Sequence, residues 1–411
     1  MKIERVRALE ILDSRGKPTV EAEVLLENGV RATAQAPSGA STGTHEAVEL
    51  RDGDQRRFAG KGVLRAVRNV EEILGPAVAG IDASDQVSVD SRLLQTEGTR
   101  DKGRLGANAI LAVSCASARA AALTKSIPLW RHLADVFGTT PRMPVPMINI
   151  ISGGLHAGRQ LEFQDFLVMP REPGSVMYML EATVRVHGMT GQILANRGYQ
   201  LTGVADEGGW GPRLESNELA ASVLRESIDA AGANMDIALD VASTHFYEKA
   251  GYRIGDRNLT PAQIAEMLEG WIGRYGVTSI EDPCAEDDWE GWRGLTSRLG
   301  SRVKLVGDDL FVTNVTRLER GIQEGAANSV LVKMNQAGTL TETFGVIHRA
   351  READFGAVIS ARSGETEDGF LADLAVASGA GQIKIGSITR SERLAKYNRL
   401  LEIERWELTS D

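Results

Sequence analysis

The sequence predicts an α/β protein in two parts. An N-terminal α+β domain, an antiparallel meander plus helices, spans residues 1–137, and an eight-stranded α/β barrel spans residues 138–411. Three observations predict it. The chain has 411 residues, beyond the size at which a single core keeps growing. Residues 1–35 carry the apolar–polar alternation of half-buried strands. After a proline-rich stretch, short apolar runs recur with helical patterns between them, which is the rhythm of a barrel.

Taken in order, Ile3, Val6 and Leu9 to Leu12 form a first strand that turns at Asp13-Ser14-Arg15-Gly16. Thr19 to Leu26 alternates as a second strand, and Glu27-Asn28-Gly29 closes a hairpin into a third. Ala36-Pro37-Ser38-Gly39-Ala40-Ser41-Thr42-Gly43 is built of small and hydroxylated residues. Such a segment is either a solvated connector or a lid that folds over a charged ligand and offers an oxygen to a metal. From Leu64 to Leu133 apolar residues recur at helical spacing, with alanine abundant around Leu105, Ala109, Val113 and Ala116. Pro141, Pro144 and Pro146 mark the connector. The barrel runs are Pro146–Ile151, Phe166–Met169, Ile237–Asp240, Val277–Asp282, Lys304–Asp309, Val330–Asn335, Ala357–Ser360 and Gln382–Gly386.

Composition narrows the function. A hydrophobic content of 42% with 25% charged residues describes a globular chain. A net charge of −10 argues against nucleic acid or an anionic membrane as partner. No apolar stretch reads as long enough to span a bilayer, and the N-terminus lacks the apolar core of a signal peptide. Cys115 and Cys284 stand far apart without metal-site spacing, which points to a reduced, cytoplasmic setting.

Barrel active sites lie at the carboxyl ends of the strands. Reading those ends yields Asp240, then Glu281 and Asp282, then Asp308 and Asp309, then Lys333, then Arg362 and Ser363, then Lys384. A single end-of-strand Asp often only caps the next helix, and a single lysine or arginine is usually solvated. Acids on successive strands facing lysines are a different matter. Three carboxylates at one mouth cannot all stay buried and charged without a counter-ion, and an all-oxygen ligand set favours Mg²⁺. Such a site suits removal of a proton alpha to a carboxylate. The extra charge of the enediolate is met by metal, and a lysine whose pKa is depressed by burial and nearby positive charge serves as base.

The stretch GAVISARSGETEDGF, Gly356 to Phe370, resembles the "SHRSGETED" motif of the enolase family. The chain is similar to that family from end to end. EILDSRGKPTVE, PSGASTGTHEAVELRDGD, DKGRLGANAI, ADEGGWGP, SIEDP, GDDLFVTN, LVKMNQAGTLTET and RSERLAKYNRLLEIE all match it. The resemblance implies a TIM-like, enolase-type barrel and the lysine-plus-Mg²⁺ arrangement established for that superfamily. It implies that Asp240, Glu281 and Asp308 bind a first Mg²⁺ holding the substrate carboxylate, and that Ser41 belongs to the lid bringing in a second. Lys333 would be the base, Lys384 would lie by the carboxylate, and Arg362 and Ser363 would bind phosphate. Glu207 would act on the leaving beta-hydroxyl, with His156 and Gln164 also at active-site positions. It further implies a small phosphorylated carboxylate as substrate and a homodimer or higher homo-oligomer.

The chain departs from the family pattern at grouped positions. Ala361 stands where the family has histidine, and Asp165 replaces the glutamate of "QEF". Ser152 replaces the asparagine of "NGG", Leu155 changes the residue before His156, and His245 replaces the glutamate of "ASEF". The metal, base and carboxylate residues are unaltered. In the family the missing histidine and glutamate help organise the leaving-hydroxyl and phosphate side. The chain therefore reads as a specialised paralogue that keeps enediolate formation. Within the family it resembles carboxyphosphonoenolpyruvate synthase of phosphonate antibiotic pathways, because Ala361 in place of histidine opens room beside the phosphate site for a phosphonylated group. The alternatives are ordinary dehydration of 2-phosphoglycerate to phosphoenolpyruvate and a non-catalytic binding protein on the same fold. The intact Lys333 and acid set speak against the last.

Overall fold

A computed structural model describes residues 1–39, 43–248 and 251–408. The alternating N-terminal segment folds as expected. Strands β1 (Ile3–Leu12), β2 (Pro18–Leu26) and β3 (Arg31–Gln35) pair antiparallel in that order. The β2–β3 turn is tight because Gly29 takes a φ of 84° and returns its N–H to Leu26. Val20, Ala22, Val24 and Leu26 share one face of β2 and are fully buried. They pack on the helix Ala107–Lys125, whose many alanines let sheet and helix approach closely. That helix corrects one reading of the sequence. It is long and apolar enough to cross a membrane, but its apolarity serves burial in this domain, where most of its residues lie inside the core.

The barrel closes in the order β10-β11-β12-β13-β14-β4-β5-β6. Its strands are β4 (Val145–Ser152), β5 (Asp165–Pro170), β6 (Met235–Asp240), β10 (Val277–Glu281), β11 (Lys304–Gly307), β12 (Ser329–Val332), β13 (Gly356–Ser360) and β14 (Gln382–Gly386). A small antiparallel sheet, β7 (Tyr247–Glu248), β8 (Gly251–Ile254) and β9 (Arg257–Leu259), follows β6. Met147, Leu167, Ala238, Val306, Leu331 and Val358 fill the barrel interior below the mouth.

One expectation fails. The sequence places a helix after every barrel strand, yet β4 and β5 are joined by residues 153–164 with only a 3₁₀ turn, Gly154–Ala157. β5 therefore runs antiparallel to both neighbours, and two helices, Val176–Asn196 and Asn217–Ala230, stand between β5 and β6. A loop without a crossover helix can only return the chain in the opposite direction. Asp165 consequently enters the mouth from the start of its strand, directly across from Ser152 at the end of β4 and from Asp240 at the end of β6.

The N-terminal domain reaches over the mouth. Ser38 and Gly364 exchange backbone hydrogen bonds at 2.8 and 2.9 Å. Arg119 pairs with Asp368 at 2.5 Å, and the Lys102 ammonium meets Glu342 at 2.9 Å.

Candidate active site

Each strand end delivers its side chain inward. Asp240 and Glu281, each 2% exposed, converge on the Lys384 ammonium at 2.8 and 2.7 Å. Asp308 forms an ion pair with Lys333 and accepts a hydrogen bond from Gln336 Nε2 at 3.1 Å. Asp282 lies behind them. Its φ of 42° is held because its carboxylate accepts the backbone N–H groups of Asp308 at 2.9 Å and Asp309 at 2.7 Å. Asp282 thus fixes the turn that presents Asp308.

The electrostatics of this side are those of an excess of buried acid. Burial and then the Asp240 charge push the Glu281 carboxyl well above the usual range. Among the described residues, ligand atoms lie within 4.8 Å of one another in the sets His156, Asp165, Glu207 and Asp282, Asp308, Asp309. Asp240, Glu281 and Asp308, expected around one cation, are here each engaged by a lysine ammonium. Their chemistry still fits a hard divalent ion: buried carboxylates, with Gln164 Oε1 buried beside them without a partner among the described residues. Gln164 donates through Nε2 to Asp240 at 3.1 Å. Ser41, expected in the lid, lies outside the described residues.

Lys333 differs from expectation. A depressed pKa would make it a ready base, but although burial is the largest influence and pulls it down, the Asp308, Glu281 and Glu46 carboxylates together hold it above the usual lysine range. Spacing along the chain places lysine and acids at one mouth without saying which charges touch. Arg362 pulls the other way, so Lys333 becomes a better base when Asp308 no longer holds its ammonium.

The opposite wall is a chain of buried polar groups. Asn149 donates to Ser152 Oγ at 2.7 Å and to Asp165 Oδ1, and Ser152 Oγ lies 3.0 Å from the same oxygen. Asp165 Oδ2 meets His156 Nδ1 at 2.8 Å, and His156 Nε2 faces Glu207 Oε1 at 3.7 Å. Burial opposes charging His156, but Asp165 and Glu207 carry its pKa to about 9. Glu207 is placed by a loop zipped onto β4, where Trp210 N–H bonds to Ile150 and Ser152 N–H to Trp210. Beneath it, Gly386 has a φ of 118°, and a Cβ there would lie 3.0 Å from the Glu207 carbonyl oxygen.

Arg362 and Ser363 hold the third side. The Arg362 guanidinium pairs with Glu46 at 2.9 Å and donates to Asn335 Oδ1 at 3.1 Å. Arg15 donates to Ser363 Oγ at 3.2 Å, and Arg393 grips the carbonyls of both residues at 2.7 Å. Glu46, Asn335, Gln336 and Arg393 were not singled out in the sequence. Glu46 lies in the matched stretch PSGASTGTHEAVELRDGD, and Asn335 and Gln336 lie with Lys333 in LVKMNQAGTLTET, so family motifs were the available signal.

One cavity is lined by His156, Gln164, Glu207, Asp240, Lys333, Ala361, Arg362, Ser363 and Lys384. It brings the predicted acid, lysine, phosphate-side and leaving-group residues to one place. Its volume is about 20 Å³, close to what a single water needs. Ala361 lines it beside Arg362, Ser363 and His156, and the Glu46–Arg362 and lysine–acid pairs stand around the same mouth.

A family model described as "Enolase, N-terminal domain" matches residues 3–133, and one described as "Enolase, C-terminal TIM barrel domain" matches residues 140–411.

Proposed function

The chain belongs to the enolase family, and from that premise we propose that it removes the proton alpha to the carboxylate of a small phosphorylated or phosphonylated acid, with its phosphorus end specialised. The observation that carries this reading is the single cavity with Lys333, Lys384 and Asp240 on one wall and Ala361, Arg362, Ser363 and His156 on the other. Asp240, Glu281 and Asp308 would hold Mg²⁺. When bound, that ion supplies positive charge to the carboxylate whose negative charge grows in the enediolate.

The remaining work falls to the protein. Neutral Lys333 Nζ takes the alpha proton, and the C–H electron pair moves into the carboxylate. Lys384 lies against the same acids and adds fixed positive charge there. Arg362 gives up Glu46 to a phosphate or phosphonate, a bidentate exchange suited to its planar fork. At the far end the beta C–O bond breaks, and a proton from Glu207 or His156 lets the oxygen leave as water.

The phosphonylated product, of the carboxyphosphonoenolpyruvate type, is supported by the joint loss of the family histidine at Ala361 and of a methylene at Asp165. Ordinary dehydration of 2-phosphoglycerate is the second reading, supported by the unaltered Lys333, Lys384 and acid residues. Phosphorus NMR with 2-phosphoglycerate, with and without phosphonoformate or a nucleotide-activated form of it, separates the two. A new enolpyruvate whose enol oxygen carries a phosphorus still bonded to the carboxyl group of phosphonoformate supports specialisation, whereas phosphoenolpyruvate alone at a turnover near ~10 s⁻¹, typical of enzymes, supports the plain dehydratase.

A further inference from the structure

We propose that Ser152 is a positioning residue: its hydroxyl clamps the shortened Asp165 carboxylate, which in turn fixes His156 with Nδ1 inward and Nε2 presented to the mouth beside Glu207. The inference rests on the enediolate reading above, which gives that mouth its substrate. Proton inventory supplies the direction. Asn149 Nδ2 can only donate, so Ser152 Oγ accepts from it at 2.7 Å and must send its own proton on to Asp165 Oδ1 at 3.0 Å. Asp165 Oδ2 then accepts from His156, so Nδ1 at 2.8 Å is the protonated nitrogen and Nε2 is left for the mouth. Asn149, Ser152 and Asp165 are fully buried, and no solvent competes for these bonds.

Geometry explains why these residue types occur together. Ser152 and Asp165 are cross-strand partners at the mouth. A carboxylate one methylene shorter than glutamate ends closer to its own strand, within reach of a serine opposite. Gly209 leaves little room for more, since a Cβ on it would already lie 3.0 Å from both Ser152 Oγ and Asn149 Oδ1. Two departures from the family motif are therefore one matched change. Through it His156 keeps a fixed orientation in a site whose second histidine position is Ala361.

The test uses the full-length protein with Mg²⁺ and 2-phosphoglycerate. Nitrogen NMR, recorded above about pH 9 where the imidazole is neutral, reports the His156 tautomer, and steady-state kinetics report kcat and KM separately. Ser152→Ala is expected to remove the Nδ1-protonated signature and lower kcat by about 10–100-fold, the usual loss for a supporting hydrogen bond at a site, with KM little changed. Ser152→Thr, which keeps the hydroxyl but adds a methyl to a fully buried place, should keep the Nδ1-protonated signature even where crowding lowers kcat. Asp165→Glu should be impaired alone and recover with Ser152→Asn added, a non-additive pair. If Ser152→Ala does not fold, Ser152→Cys, of similar size and a much weaker donor, carries the same comparison. Unchanged His156 signals and kcat in Ser152→Ala, or equal loss of the Nδ1-protonated signature in the Ala and Thr variants, overturn the proposal. Wild-type alpha-proton exchange is measured alongside. Its absence overturns the enediolate reading, while the His156 spectra still decide this one.

Discussion

Replacing Lys384 by methionine tests how the acid side of the mouth is held together. The substitution keeps an unbranched apolar stem one atom shorter and removes the one ammonium shared by Asp240 at 2.8 Å and Glu281 at 2.7 Å. Both acids are 2% exposed and gain little from water. Removing one partner of a buried pair costs ~3–5 kcal/mol. Here the lower end applies, because Glu281 is already pushed up toward protonation by burial and Asp240. A loss of about 3 kcal/mol corresponds to a fall in Tm of about 6–12 °C for a domain of this size. Thermal melts in a chelator should show it. Mg²⁺ should then stabilise the variant more than the wild type, because the two carboxylates no longer have to be shared with an ammonium. Saturation a hundredfold above Kd contributes ~2.7 kcal/mol. A variant that melts with the wild type in chelator would refute the claim that Lys384 neutralises these acids. A gap that Mg²⁺ does not narrow would refute their role as cation ligands.

Other perturbations read other parts of the site. Asp308→Asn removes an anionic ligand and should abolish turnover and weaken Mg²⁺ binding, measured by calorimetry. It should also lower the Lys333 pKa, since Asp308 is the largest of the charges that raise it. His156 is raised from 6.5 to about 9, so the stability it contributes is full below about pH 6.5 and lost as pH climbs through about 9. Urea melts of wild type against His156→Gln should show an excess on the order of 3 kcal/mol at acid pH that fades in that window, and a pH-independent gap would contradict it. Ala361→His adds an imidazole beside a cavity of about 20 Å³ and should cost ~1–3 kcal/mol by overpacking. It should hinder a phosphonate-bearing substrate, and with Asp165→Glu it should raise 2-phosphoglycerate dehydration more than either change alone.

Most of the barrel was legible because its strands are short apolar runs, several of them running into a charged residue, as in Ser279-Ile280-Glu281 and Leu331-Val332-Lys333. The direction of β5 was not, since a strand's own pattern is the same whichever way it runs. Only the connection tells, and residues 153–164, with Gly153-Gly154 and no helical period, carried that signal. The sheet β7–β9 escaped because strands of two to four residues are too short to show a period. At the site, the strand-end rule found Asp240, Glu281, Asp308, Lys333 and Lys384, but Glu46 arrives from the other domain and follows no strand. The Ser152–Asp165 contact depends on register between β4 and β5, which sequence departures considered singly do not convey.

The central claim is that Lys333 removes the proton alpha to a carboxylate, and isotope exchange tests it without requiring any product. 2-Phosphoglycerate is incubated in D₂O with Mg²⁺, and loss of its alpha-proton signal is followed by NMR for wild type and Lys333→Ala. The wild type should exchange the proton, and the variant should lose exchange by ~10²–10⁴-fold while melting as a folded protein. Exchange retained in Lys333→Ala, or absent from the wild type, would contradict the account.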